Sequence, residues 1–332
     1  MSAKIGVIGS GSWATAMIKM LSDNQQDKQI NWWVRRQEDL EYISQYHHNP
    51  SYLSAVEVKL DKIALFLDAK DVIQQSDIII LNTPAAYLED ALSEVNEIDL
   101  KDKIIVTAIK GIVPSIRMIV GEFINQQFQV PLADIVVVGG PCHAEEVSLE
   151  KLSYLTFASK NAANAAVVAQ FFQTHYINTI VSNDLLGVEY GAVLKNIYAL
   201  ACGICHGLGY GDNFQAVLIS NAIREMEYFV DAIDPQTREI NHSAYLGDLL
   251  VTSYSQFSRN RTFGNMIGKG YSVKSAQLEM NMVAEGYLAS ECIQDIIHKH
   301  HLDMPICNTV YNILYKNQPA THAVKALSEK LS

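Results

Sequence analysis

One glycine turn, set between an apolar run and a helical period, constrains this chain more than any other feature. Ile5-Gly6-Val7-Ile8 leads directly into Gly9-Ser10-Gly11-Ser12-Trp13-Ala14, and apolar residues then recur at helical spacing as far as Leu21. The turn fits G-x-G-x-x-[G/A] between a strand and a helix. The first glycine permits the tight turn, the second lets backbone approach a diphosphate, and the small Ala14 allows close packing of helix on sheet. The helix start adds amide donors that its own turns cannot satisfy. Two glycines and a small residue in register are more than a simple turn requires, so a dinucleotide site containing Gly9 and Gly11 is expected.

The flanking chain supplies the rest of such a fold. Strands are predicted over Lys4–Ile8, Asn31–Val34, Ile63–Leu67, Asp77–Asn82, Lys103–Ala108, Ile135–Val138, Leu152–Ala158 and Ile177–Ser182. Helical periods lie between them near Trp13–Leu21, Ala69–Gln75, Tyr87–Val95, Ser115–Gln127 and Ala162–Gln173. Ile78-Ile79-Ile80-Leu81 is apolar throughout, as a strand covered on both faces must be. From Leu185 onward convincing strands cease and helical spacing takes over. The fold expected is α/β, a Rossmann-type doubly wound sheet over residues 1–184, followed by an all-helical C-terminal domain over residues 185–332.

Composition narrows the partners. The 332-residue chain has a formal charge of −11, which argues against nucleic acid or an anionic membrane as the main partner. No run approaches eighteen uninterrupted apolar residues, so no stable membrane insertion is expected. The first apolar segment is too short for a signal peptide. Cys142, Cys202, Cys205, Cys292 and Cys307 form an odd, scattered set, suited to reduced thiols in the cytoplasm. Cys202 and Cys205 make a CxxC spacing inside a long helical pattern without a second pair, so they read as small core packers. His298, His300 and His301 read as the solvated end of a helix, and no metal site is expected.

An acidic protein that binds phosphates must concentrate positive charge locally. At the end of the second predicted strand stands Trp33-Val34-Arg35-Arg36, where a site selective for NAD would carry a carboxylate for the ribose 2′-hydroxyl. Two guanidiniums suit a 2′-phosphate instead. The cofactor is therefore NADP or NAD, with NADPH favoured, although a basic turn is also a common surface feature.

With these blocks in view, the chain resembles the bacterial-type NAD(P)-dependent glycerol-3-phosphate dehydrogenases. The likeness begins at Gly9-Ser10-Gly11-Ser12-Trp13-Ala14-Thr15-Ala16 and continues through Trp33-Val34-Arg35, His48-Asn49-Pro50-Ser51-Tyr52-Leu53 and Lys110-Gly111. It extends to Gly140-Pro141-Cys142-His143-Ala144-Glu145-Glu146, Gly187-Val188-Glu189, Leu194-Lys195-Asn196 and Gly207-Leu208-Gly209-Tyr210-Gly211-Asp212-Asn213. Leu246-Gly247-Asp248-Leu249, Ser258-Arg259-Asn260-Arg261 and Glu285-Gly286 complete it in family order.

The resemblance implies cofactor contacts from Ser12, Trp13, Arg35, Arg36, Lys110, Ala144, Arg259, Val283 and Glu285. It implies substrate contacts from Lys110, Gly140, Cys142, Lys195, Asp248, Ser258, Arg259 and Asn260, with Lys195 as the general acid/base. It also implies a homodimer, a small phosphorylated substrate, and a role supplying glycerol 3-phosphate for phospholipid synthesis. Two positions depart from the family pattern. Ala14 stands where the family usually has Gly, and Cys142 where it has Ser or Thr; a thiol is the poorer hydrogen-bond donor.

Residue chemistry supports the same roles. Reduction of a ketone needs a hydride and a proton for the developing alkoxide. Lys195 lies among Ala192, Val193, Leu194, Ile197 and Leu200, where burial would lower its pKa, although a lysine snorkelling at a helix edge is the commoner case. Asp248 could hold that ammonium or could merely cap a helix. Arg259 and Arg261, beside Ser258 and Asn260, could hold a phosphate or form a basic surface turn. Two other readings stay open: a two-domain dehydrogenase acting on a hydroxy acid such as 6-phosphogluconate, and a non-catalytic NADP-sensing module. The first does not need Ser258-Arg259-Asn260-Arg261, and the second predicts loss of the proton donor.

Overall fold

A computed structural model describes residues 3–280 and 284–332. The chain divides into two compact units, one of residues 1–109 and 120–185, the other of residues 110–119 and 186–332. The second unit thus takes in a short segment that a single boundary at 184/185 leaves with the first.

The first unit is built on eight strands: β1 (Ala3–Ile8), β2 (Lys28–Trp33), β3 (Ile63–Phe66), β4 (Ile78–Leu81), β5 (Ile104–Thr107), β8 (Ile135–Gly139), β9 (Ser153–Ala158) and β10 (Ile177–Ser182). Their order across the sheet is β10-β9-β8-β5-β4-β1-β2-β3. From β1 the chain steps outward through β2 and β3, then returns to the other side of β1 with β4. The sheet therefore changes direction between β1 and β4, and such a switch point opens a crevice at the carboxyl ends of the strands. All neighbouring pairs are parallel except β8 with β9. That reversal leaves no mark in a run of apolar residues, and alternation along the sequence gave no sign of it.

Why these segments form strands is plain from burial. Every residue of β4 and β8 is buried, because helices cover both faces of a sheet with parallel crossovers. Met17, Ile18 and Leu21 of the Ser12–Asp23 helix join Ile5, Val7, Ile30, Trp32 and Ile80 in one apolar core. Ala165, Val168 and Phe172 of the Ala162–Phe172 helix join the same core, and the helix is started by the Asn161 side chain, which accepts the Ala163 amide at 3.1 Å.

Two predicted helices shorten. The Ser115–Gln127 period yields a helix only over Val120–Phe128. The residues before it form a hairpin, β6 (Ile112–Val113) with β7 (Met118–Ile119), turned at Arg117 with φ 54°. Tyr87–Val95 reduces to a helix over Leu88–Ala91, preceded by a 3₁₀ turn at Ala85–Tyr87. A further helix, Gln37–Tyr46, escaped the periodicity because only Ile43 along it is buried; without an apolar stripe there is no period to detect.

Among its described residues the second unit is helical apart from the β6–β7 hairpin. Its axis is the Leu185–Gly207 helix, the one described helix long and apolar enough to cross a membrane, 94% of whose apolar window is buried inside the protein. Cys202 and Cys205 are buried on it. Against it runs the Arg259–Gly268 helix. A Cβ at Gly203 would overlap Arg261 O, and a Cβ at Gly264 or Gly268 would overlap the carbonyls of Leu200 and Ile204. Only glycine lets two helix backbones approach this closely, so four glycines (Gly203, Gly207, Gly264, Gly268) fix the crossing. That crossing sets where Arg259 and Asn260 stand relative to Lys195.

Candidate active site

In the first unit the glycine turn takes the expected form. Gly9 has φ +139°, and a Cβ there would lie 2.6 Å from Asn82 O, so no other residue fits. At Gly11 a Cβ would meet nothing within 4 Å; the glycine leaves open space over the first turn of the Ser12–Asp23 helix. That first turn carries no acidic residue, and the amides at a helix N-terminus favour an anion. Both features fit the diphosphate of a dinucleotide. Ala14 is fully buried, which explains why a small residue suffices there.

Two residues not singled out from the sequence hold this turn rigid. The Trp32 indole donates to Gly9 O at 2.8 Å. Asn49 Nδ2 donates to Ser10 O at 3.1 Å and Thr15 Oγ1 at 2.9 Å, while its Oδ1 accepts the amides of Ser51 and Tyr52. Trp32 sits in a largely buried strand, where an indole reads as core filler. Asn49 lies thirty-odd residues from the turn it fastens, and nothing local announces the contact. Arg35 and Arg36 are exposed directly beyond β2, and Gly140, Cys142 and Ala144 follow the carboxyl end of β8. Gly140 has φ +105° with Tyr154 O 2.7 Å from where a Cβ would stand. Cys142 is buried.

In the second unit, Lys195 and Asp248 are both buried and form a direct ion pair. Lys195 Nζ also donates to Thr252 Oγ1 at 3.0 Å, and Thr252 Oγ1 in turn donates a hydrogen bond to the backbone Asp248 O at 2.6 Å. Lys110 Nζ reaches the other carboxylate oxygen, Asp248 Oδ2, at 3.3 Å. One carboxylate therefore faces two ammonium groups. Asp248 begins the Asp248–Tyr254 helix, but its side chain serves the lysines instead of capping. Lys195 does not snorkel: Val193, Leu194 and Ile197 around it are fully buried, and its own side chain is 5% exposed.

The electrostatics follow from this arrangement. Burial pushes the Lys195 ammonium down to about 7, with Asp248 opposing that shift and Lys110 adding to it. Burial pushes the Asp248 carboxyl up, but Lys110 and Lys195 outweigh that and hold it below the usual carboxylate range. A lysine poised near neutrality beside a fixed carboxylate can give and recover a proton.

The surrounding backbone is tied to the same group. Asn196 Nδ2 donates to Lys110 O at 2.8 Å, and Asn260 Oδ1 accepts the Gly286 amide at 2.9 Å. A Cβ at Gly286 would lie 2.6 Å from Asn196 O, so the start of the Glu285–Lys299 helix seats directly on the lysine's own helix. The Ser258 hydroxyl accepts the Arg261 amide at 3.2 Å, capping the Arg259–Gly268 helix. Arg259 is the exposed first residue of that helix. Val283 lies outside the described residues. Thr252 was not anticipated; its signal is the spacing, one helical turn after Asp248. Among the described residues no group of His, Cys, Asp and Glu could hold a metal, and His298, His300 and His301 are exposed at the end of the Glu285–Lys299 helix.

A glycine turn built for a diphosphate and a buried, carboxylate-held lysine define a nicotinamide-dependent dehydrogenase. Comparison with known proteins makes the class specific. Residues 4–165 match the N-terminal model of NAD-dependent glycerol-3-phosphate dehydrogenase, and residues 184–325 match its C-terminal model. A glycerol-3-phosphate dehydrogenase [NAD(P)+] from Bacillus velezensis is 33% identical over 99% of this chain and 94% of its own length. One from Chlorobium phaeobacteroides is 34% identical over 97% and 96%. The crystal structure of glycerol-3-phosphate dehydrogenase from Coxiella burnetii superposes with a TM-score of 0.90 at 26% identity, covering 99% of each chain. The chain belongs to the NAD-dependent glycerol-3-phosphate dehydrogenase family.

Proposed function

We propose that the chain is an NAD(P)-dependent glycerol-3-phosphate dehydrogenase, interconverting dihydroxyacetone phosphate and sn-glycerol 3-phosphate and supplying the latter to glycerophospholipid synthesis. The observation that carries the chemistry is the buried Lys195, paired with Asp248 and bonded to Thr252. When bound, the nicotinamide supplies the hydride. Gly9, Gly11, Ser12 and Trp13 hold its diphosphate side, Arg35 and Arg36 the ribose 2′-phosphate, and Ala144, Val283 and Glu285 complete its contacts.

Lys195 gives its Nζ proton to the substrate's C2 oxygen as negative charge develops there. Asp248 orients the ammonium before transfer, and Thr252 fixes the direction of a second N–H. Lys110, held by the opposite carboxylate oxygen, adds positive charge to both cofactor and substrate. Arg259, with Ser258 and Asn260, takes the substrate's phosphate, and Gly140 and Cys142 are further substrate contacts. In the reverse direction a neutral Lys195 accepts the hydroxyl proton. A sensing module would have no use for a buried lysine tuned toward neutrality.

A substrate panel tests this reading. Initial rates at 340 nm should show NADPH oxidation with dihydroxyacetone phosphate, little with dihydroxyacetone, and no NADP+ reduction with 6-phosphogluconate. Turnover of 6-phosphogluconate alone would overturn the substrate assignment. A homodimer and a cytoplasmic location belong to the same proposal. In support, β10 is an outer strand without charged side chains whose Ile180 and Val181 are exposed, and the five cysteines are buried free thiols. Light scattering should give twice the chain mass; a single-chain mass would rule the dimer out.

A further inference from the structure

The β4 side of the switch point carries two polar side chains for which nothing above accounts. Ile8 of β1 pairs with Leu81 of β4, so the residues that follow, Gly9 and Asn82, leave the sheet side by side. The Asn82 amide donates to Ile8 O at 2.8 Å, and Asn82 O lies against Gly9. Asn82 and Thr83 are 9% and 8% exposed. Asn82 Nδ2 and Thr83 Oγ1 are fully buried and have no hydrogen-bond partner among the described residues. Buried donors without partners oppose folding and are rare in native proteins. Both occur in consecutive residues at the carboxyl end of a strand beside the diphosphate turn. This is where an α/β sheet places its ligand.

We propose that Asn82 and Thr83 are cofactor-positioning residues, donating from Asn82 Nδ2 and Thr83 Oγ1 to oxygens of the dinucleotide's ribose–diphosphate backbone. The glycine turn and the helix start grip the diphosphate from the β1 side; Asn82 and Thr83 grip the same backbone from the β4 side. Both groups donate, as a ligand rich in acceptor oxygens requires. The proposal rests on the dinucleotide reading of the Gly9–Ala14 turn.

The test is NADPH affinity by isothermal titration calorimetry, with the melting temperature of the cofactor-free protein measured alongside. Thr83→Val keeps the shape and removes only the hydroxyl. Its cofactor-free form should melt no lower than wild type, because the lost group satisfied nothing. Its NADPH Kd should rise roughly tenfold or more, as expected for a hydrogen bond to a charged ligand. Thr83→Ser, which restores the hydroxyl, should return the Kd to within about threefold of wild type, and Asn82→Ala should weaken binding as Thr83→Val does. An unchanged Kd in Thr83→Val and Asn82→Ala, with wild type binding normally, would overturn the proposal and leave the glycine-turn site intact. A cofactor-free Thr83→Val protein that melts well below wild type would also overturn it, by making the hydroxyl a structural group. Failure of wild type itself to bind NADPH would sink the dinucleotide reading on which the proposal stands.

Discussion

Replacing Asp248 with Asn should move the pH dependence of ketone reduction and not merely lower the rate. Asp248 contacts Lys195 directly and Lys110 at 3.3 Å, with all three groups withdrawn from solvent to differing degrees. At an effective dielectric of about 20, unit charges at such separations attract by roughly 4–5 kcal/mol. At 1.36 kcal/mol per pH unit this corresponds to about 3 units of support for the Lys195 ammonium. Asp248→Asn removes that support and leaves burial and Lys110, both of which push the lysine down.

Taking a downward shift of about 2 units as the minimum, the limb governing reduction moves from about 7 to about 5. The protonated fraction at pH 7.5 then falls roughly a hundredfold, and kcat/KM for dihydroxyacetone phosphate falls with it. Near pH 5 the gap to wild type should close to about twofold, since the ammonium is then largely restored. The assay is a pH–kcat/KM profile at saturating NADPH for both proteins. A pH-independent loss, or an unmoved limb, would refute the idea that Asp248 acts by holding the proton on Lys195.

Lys195→Met should lower turnover by about 10²–10⁴-fold with the NADPH Kd unchanged, the usual range for a lost general acid; a loss below tenfold removes Lys195 from that role. Replacing Arg35 and Arg36 with Ala should raise the KM for NADPH far more than that for NADH, and equal changes would show that neither arginine reads the 2′-phosphate. Arg259→Ala should cost roughly ten- to a hundredfold in kcat/KM toward dihydroxyacetone phosphate and almost nothing toward dihydroxyacetone alone, which has no phosphate to bind. Equal losses toward both substrates would move Arg259 to the cofactor or the framework. Gly264→Val should abolish or sharply lower thermal stability, because a Cβ there meets Leu200 O; a melting temperature within a few degrees of wild type would show that the helix crossing is not glycine-dependent.

Much of this was legible in the sequence because the signals were local. The glycine turn follows its strand without interruption, and all eight sheet strands fall on short β-rich runs between helical periods. Lys195 stood out because its neighbours on the chain are the neighbours that bury it. Contacts that depend on distant chain segments were invisible. Asn49 fastens a turn nearly forty positions before it, Trp32 does the same from the buried second strand, and the reversed β9 has no signature that a parallel strand lacks. The β7 strand of the hairpin hid inside a helical period because Met118-Ile119 runs without a break into the apolar Val120–Phe128 helix. Thr252 lay within reach of inspection: a threonine one turn beyond a buried aspartate on the same helix can bond back to that residue's carbonyl and still receive a lysine.

Transfer of isotope tests the central claim most directly. Dihydroxyacetone phosphate is incubated with NADPH deuterated at either face of nicotinamide C4, and the product is analysed by NMR. One of the two labelled cofactors should deliver a single deuterium to C2 of glycerol 3-phosphate, with the oxygen-bound proton drawn from water through Lys195. Unlabelled glycerol 3-phosphate from both cofactors, or no glycerol 3-phosphate at all, would contradict hydride transfer to this ketone.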